Sequence, residues 1–123
     1  MSERNPYSFS NIEDHLEDPN CQFVDVREPY ELTQDGFIKG FDCVPLYTAL
    51  LHKNIIQYVS NPYHENAVSD VASLTKLFSK DKHIYLMCNS GARSGYLTAV
   101  LQSQGYSVTN LGGILDYHRL HAK

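Results

Sequence analysis

The run Ile84-Tyr85-Leu86-Met87 is apolar throughout, and it constrains the fold more than any other stretch of the chain. A half-exposed strand alternates apolar and polar residues, whereas a strand covered on both faces of a parallel sheet does not. The sequence therefore predicts a covered strand ending at Cys88. After the turn Asn89-Ser90-Gly91-Ala92, the residues Leu97, Val100 and Leu101 follow the i, i+3, i+4 spacing of one helical face. Gly105 stands where a C′ glycine would, so a helix is predicted from about Arg93 to Gln104.

The same pattern recurs along the chain. Asn11 to Leu16, with Ile12 and Leu16 four apart and Ser8 or Ser10 as an N-cap, reads as a short opening helix. Cys21 to Val26 is a β-prone run that Arg27-Glu28-Pro29 terminates. Gly36 and Gly40 bracket a turn-rich passage, and Asp42-Cys43-Val44 before Pro45 predicts a second, shorter strand. Residues 46–63 read as a helix followed by a loop, and Ala67 to Phe78 as a helix with Lys76 and Lys80 falling late, where cations suit a C-terminus. Ser107 to Leu111 is the next strand, Gly112-Gly113 is read as a turn, and Ile114 to His121 as a last helix. Strands that alternate with helices point to an α/β fold with a parallel sheet.

A chain of 123 residues fits one domain, 1–123, and is long enough to bury a core without disulfides or metals. Its net charge of −4 comes without a basic run, so nucleic acid and anionic membrane are set aside as partners. No stretch approaches the roughly 20 apolar residues of a membrane span. The opening residues lack the apolar core of a secretory signal, so a cytoplasmic location is expected. Cys21, Cys43 and Cys88 are odd in number and far apart, which suggests neither a disulfide framework nor a C-x-x-C zinc site.

The chemistry concentrates in Cys88-Asn89-Ser90-Gly91-Ala92-Arg93-Ser94, which places a thiol at the carboxyl end of a covered strand and the mouth of a helix. Backbone N–H groups entering a helix N-terminus have no intrahelical partner and can cradle an anion. Those donors, the positive end of the helix dipole and Arg93 are expected to stabilise negative charge on the sulfur of Cys88. Gly91 suits a sharp turn, and Ser90 and Ser94 can add hydroxyl donors.

This segment resembles the active-site loop of rhodanese-like domains, in which a cysteine, four residues and an arginine close a cradle. Asp25-Val26-Arg27 with Glu31, Gly36-Phe37-Ile38-Lys39-Gly40, Val44-Pro45 and Asn110-Leu111-Gly112-Gly113-Ile114 are similar to further passages of that family, in the same order. The chain departs from the family at Leu32, Phe37, Phe41 and Tyr117, where an aromatic residue, histidine, a small residue and tryptophan are usual. The resemblance implies a central, mostly parallel five-stranded sheet flanked by helices on both faces. It further implies a sulfurtransferase in which Cys88 is the catalytic nucleophile and carries a persulfide. Asn89, Ser90, Gly91, Ala92, Arg93 and Ser94 would bind a small anionic sulfur donor such as thiosulfate, with a persulfide as an alternative donor. A thiol or protein would be the acceptor, and no metal or organic cofactor is needed.

Asp25 and Arg27 resemble the family's pair at that position, and an ion pair that braces the loops is favoured over direct substrate contact. Arg93→Ala is expected to slow anionic donors far more than it lowers stability. A phosphatase or arsenate reductase on the same scaffold is one rival, although phosphatases of this fold resemble a cysteine, five residues and an arginine. A binding or regulatory module with a silent site is the other. His118 and His121 could share a helical face, but nothing at ligand spacing joins them into a metal site. Cys21 and Cys43 are expected to be buried in strands, with a resolving role near Cys88 as the lesser reading.

Overall fold

A computed structural model describes residues 7–45 and 77–121. Strand β1 (Cys21–Asp25) leads into helix α1 (Pro29–Asp35) and the short strand β2 (Asp42–Cys43). Strand β3 (His83–Cys88), helix α2 (Ala92–Ser103), strand β4 (Ser107–Gly113) and helix α3 (Ile114–His121) follow. The opening helix predicted over Asn11 to Leu16 is only a 3-10 turn, Ile12–Asp14.

Helix α1 is an element that the sequence reading passed over, taking Arg27-Glu28-Pro29 only as the stop of a strand. Its signal is local: Pro29 stands at its start, and Glu28 and Glu31 form a reciprocal capping box in which Glu28 N donates to Glu31 Oε1 at 2.9 Å. The helices predicted over 46–63 and over Ala67 to Phe78 lie outside the described residues, apart from Leu77 and Phe78.

The strands pair in the order β2-β1-β3-β4, all parallel. Four strands stand among the described residues where five were expected. Parallel pairing aligns the carboxyl ends, so Asp25 sits beside Met87, and Gly113 beside Cys88. The β3–β4 register is broken once: Leu86 pairs with Asn110 but Met87 with Gly112, so Leu111 is the extra residue of a bulge. The two glycines read as a turn are thus the last residues of β4.

Successive side chains on β1 and β3 point to opposite faces, and both faces are covered. On one, Val24, Ile84 and Leu86 meet Tyr96, Leu97 and Leu101 of α2. On the other, Phe23, Tyr85 and Met87 meet Phe9, Ile12 and Ile114. This two-sided burial is the reason Ile84 to Met87 carries no alternation. Tyr85 stacks on Phe23 with ring centroids 5.2 Å apart.

Leu97 is fully buried between α2 and the sheet. Leu97→Ala is expected to lower unfolding free energy by about 3 kcal/mol, through lost burial and the cavity left behind, as read from urea titration.

Candidate active site

Strand β3 delivers Cys88 to the sheet's carboxyl edge, and the loop from Asn89 to Gly91 turns the chain into α2. The turn runs through Gly91 at φ 103°, a left-handed conformation that a side chain resists. Gly91 has no side chain with which to cap the helix, and the sulfur of Cys88 takes that part. Cys88 Sγ accepts from Gly91 N at 3.0 Å and from Ser94 N at 3.4 Å, the second being an N–H group with no carbonyl one turn earlier. Ser94 Oγ stands 3.4 Å from the same sulfur. The thiol stands at the mouth of the helix, as expected, and lies there beneath the loop, fully buried. Hydrocarbon of Val24, Leu86 and Leu97 belongs to the same cluster, so the sulfur has an apolar floor and a polar roof.

The roof is held from β4. A methyl group at Gly113 would overlap the Asn89 carbonyl and come within 2.6 Å of Ser90 Cα, so only glycine allows the strand this close. Asn110 ties the parts together. Its Nδ2 donates to Gly91 O at 3.1 Å, and its Oδ1 accepts from Ser94 Oγ at 2.7 Å and from Gly112 N at 3.1 Å. The Ser94 hydroxyl has one proton for Asn110 Oδ1, Gly91 O at 3.3 Å and Cys88 Sγ. Its shortest contact is to Asn110, and turning that proton to the sulfur adds a third donor to the cradle. Asn110 was noted in the sequence only as part of a family passage. Besides Gly112, its partners Ser94 and Gly91 lie 16 and 19 residues away, beyond any local pattern.

Arg93 is placed differently from expectation. Its guanidinium makes a two-pronged pair with Glu31, NH1 to Oε1 at 2.8 Å and NH2 to Oε2 at 2.7 Å, with the two side chains only 20% and 10% exposed. The donors that reach Sγ come from Gly91 and Ser94. The bond from Arg93, set against the cost of burial, holds the Glu31 carboxyl below its usual range. Of the other loop residues, Ser90 and Ala92 are exposed and Asn89 is half-buried.

Asp25 and Arg27 form an internal brace. Arg27 is fully buried, and its Nε and NH2 reach the Asp25 carboxylate at 2.9 to 3.2 Å, while NH2 also donates to Gly36 O at 2.8 Å. The pair ties the end of β1 to the far end of α1.

The remaining thiols stand apart from Cys88. Cys21 begins β1, at the opposite edge of the sheet. Cys43 is exposed, against the expectation of burial, and it pairs in register with Asp25, on the sheet face away from Cys88. Its thiol donates to Arg27 O at 3.6 Å, and desolvation, with Asp25 and Glu28 nearby, pushes its pKa up. His118 and His121 each bond a different backbone carbonyl, Asp35 O at 2.7 Å and Phe9 O at 3.1 Å. Among the described residues no group of side chains could hold a metal ion.

Asn110→Ala is expected to cost about 2 kcal/mol in urea unfolding, because it leaves Ser94 and Gly91 O without their amide partner. Arg93→Ala strands the Glu31 carboxylate, so it is expected to lower stability as well, by about 2 kcal/mol at pH 7. Because the folded state holds the Glu31 pKa down, the pair's stabilisation is present above the ordinary carboxylate range, near about 4.3, and is lost as pH falls through the lower folded value. Denaturation measured along a pH series should therefore show the gap between wild type and Arg93→Ala closing on acidification.

The Rhodanese-like domain family model matches residues 8–119. A rhodanese-related protein from Thermoplasma volcanium superposes with a TM-score of 0.63 at 19% identity, covering 98% of this chain and 96% of that one. The single domain sulfurtransferase RDL2 of Saccharomyces cerevisiae gives 0.60 at 20% identity, covering 98% and 95%. The Bacillus anthracis CoADR-RHD gives 0.62 at 30% identity; 93% of this chain matches 16% of that larger one. No curated protein matches the sequence. With a family model spanning nearly the whole chain and a parallel sheet that carries Cys88 beneath its loop, this protein belongs to the rhodanese-like domain family.

Proposed function

We propose that this rhodanese-like protein is a sulfurtransferase that moves sulfane sulfur from thiosulfate or a persulfide donor to a thiophilic acceptor by way of a persulfide on Cys88. The observation that carries this reading is the pair of backbone N–H donors, from Gly91 and Ser94, aimed at one buried sulfur. Donors fixed before the reaction stabilise negative charge on sulfur without reorganising.

In the first half-reaction the sulfur of Cys88 bonds to the outer sulfur of the donor. The donor S–S bond breaks, and its electron pair leaves with sulfite or with a thiolate. With thiosulfate the outer sulfur of the new persulfide carries the remaining negative charge, within reach of the loop donors; with a protonated persulfide donor its proton stays on that sulfur. In the second half-reaction an acceptor nucleophile, a small thiol or a protein thiol, attacks that outer sulfur, and Cys88 departs as thiolate. Both steps balance without a metal or an organic cofactor. We place the reaction in the cytoplasm, where reducing conditions suit a chemistry that runs on the thiol of Cys88. Among the described residues no helix is long and apolar enough to cross a membrane.

The phosphatase reading is disfavoured because four residues separate Cys88 from Arg93, and because that arginine is turned to Glu31. Intact-mass measurement after incubation with thiosulfate, and in parallel with cysteine persulfide, tests the proposal. A gain of one sulfur atom in the parent and none in Cys88→Ser supports it. The absence of an adduct from both donors, with hydrolysis of an aryl phosphate, would transfer the assignment to the phosphatase class.

A further inference from the structure

Every arginine among the described residues already holds a carboxylate. The lysines and arginines among these residues are Arg27, Lys39, Lys80, Lys82, Arg93 and Arg119. Lys80 lies over the Tyr106 ring and Lys82 directly precedes β3, both at the opposite edge of the sheet. Lys39 lines a cleft with Glu13, Asp14 and Glu17. The three arginines follow the carboxyl ends of β1, β3 and β4, and each holds a carboxylate. Arg27 pairs with Asp25 at 2.9 Å, Arg93 with Glu31 at 2.7 Å, and Arg119 with Asp116 at 3.0 Å. Glu28, buried at the start of α1, adds a further carboxylate to the same edge. What the described residues leave for an incoming anion is the set of N–H groups directed at the sulfur.

We propose that Glu31 sets the class of donor: by holding the guanidinium of Arg93 in a two-pronged pair, it removes the cation that a dianion such as thiosulfate needs, and it fits the site to an organic persulfide. This inference rests on the sulfurtransferase reading above. With either donor the Cys88 sulfur bonds to the sulfane sulfur and the donor S–S bond breaks, the electron pair leaving with the inner sulfur. From thiosulfate that pair leaves on sulfite, which carries two negative charges away from a water-poor loop. From an organic persulfide it leaves on a thiolate that carries one, and the proton of R–S–SH stays on the newly formed persulfide. Where arginines are already paired, the second charge goes uncompensated and opposes the reaction.

Glu31 is well placed to keep its hold. Its Oε1 accepts from Glu28 N within its own helix as well as from Arg93, so the carboxylate is fixed from two sides. At 10% exposure of the side chain, water does not readily take the place of the guanidinium. Glu31→Gln keeps an acceptor for Glu28 N–H and removes the charge.

The experiment measures kcat/KM for Cys88 persulfide formation from thiosulfate and from cysteine persulfide, in the full chain and in Glu31→Gln, across a range of ionic strength. Wild type should prefer the persulfide, and its thiosulfate rate should change little with salt. Glu31→Gln should raise the thiosulfate-to-persulfide ratio about tenfold and make the thiosulfate rate fall steeply with salt. A merely structural role would lower both rates together and leave the ratio in place, and an unchanged or smaller ratio in the folded variant overturns the proposal. So does a wild-type preference for thiosulfate. Should Glu31→Gln not fold, the wild-type salt series decides, a flat thiosulfate rate supporting the proposal and a steep one refuting it. Failure of both donors to modify wild-type Cys88 would instead remove the sulfurtransferase reading itself.

Discussion

The parallel pairing of β3 between β1 and β4 is the constraint on which the site depends. Parallel strands end together, so one edge of the sheet receives Asp25 and Arg27 from β1, Cys88 from β3 and the paired glycines from β4. The bulge at Leu111 extends that convergence, since it slides Gly112 and Gly113 into register with Met87 and Cys88. Gly113 then fits against the Asn89 carbonyl with no room for a side chain. The loop is shaped by two strands pressing on it from one side and by the start of α2 from the other.

Two buried ion pairs fix the surroundings of that loop. A buried charge is costly without a partner and hydrogen bonds, and the fully buried Arg27 has both, from Asp25 and from the carbonyl of Gly36. Such pairs contribute less to net stability than to geometry, because their gain is largely offset by desolvation. Their effect here is to lock α1 against the end of β1. On the same helix, Glu31 meets Arg93 of α2.

The sulfur itself lies where two environments meet. The hydrocarbon of the core lies beneath it, and the N–H groups above it supply the compensation for charge that the described residues offer at short range. In a water-poor site each of those bonds is stronger than it would be in solvent. The same lack of water magnifies any charge left without a partner, which is why the pairing of Arg93 bears on chemistry and not on folding alone.

Much of this was legible in the sequence because it is local. The unbroken apolar run of β3 follows from burial on both faces, and the spacing of Leu97 and Leu101 from the α2 face against the sheet. The thiol at the strand's end and the four residues before Arg93 need nothing but chain order. The brace of Asp25 by Arg27 spans two residues and was also readable. Helix α1 was missed although its capping box is local, since the charged, proline-containing segment reads equally as a strand stop. The partners of Arg93 and Asn110 could not have been read. Glu31 stands 62 residues from Arg93, and Ser94 stands 16 from Asn110. Chain order alone determined which sulfur sits at the strand end and what length of loop covers it. Tertiary structure alone decided which carboxylate claims the loop's arginine, because a side-chain pair between two helices exists only after the sheet has brought their ends together.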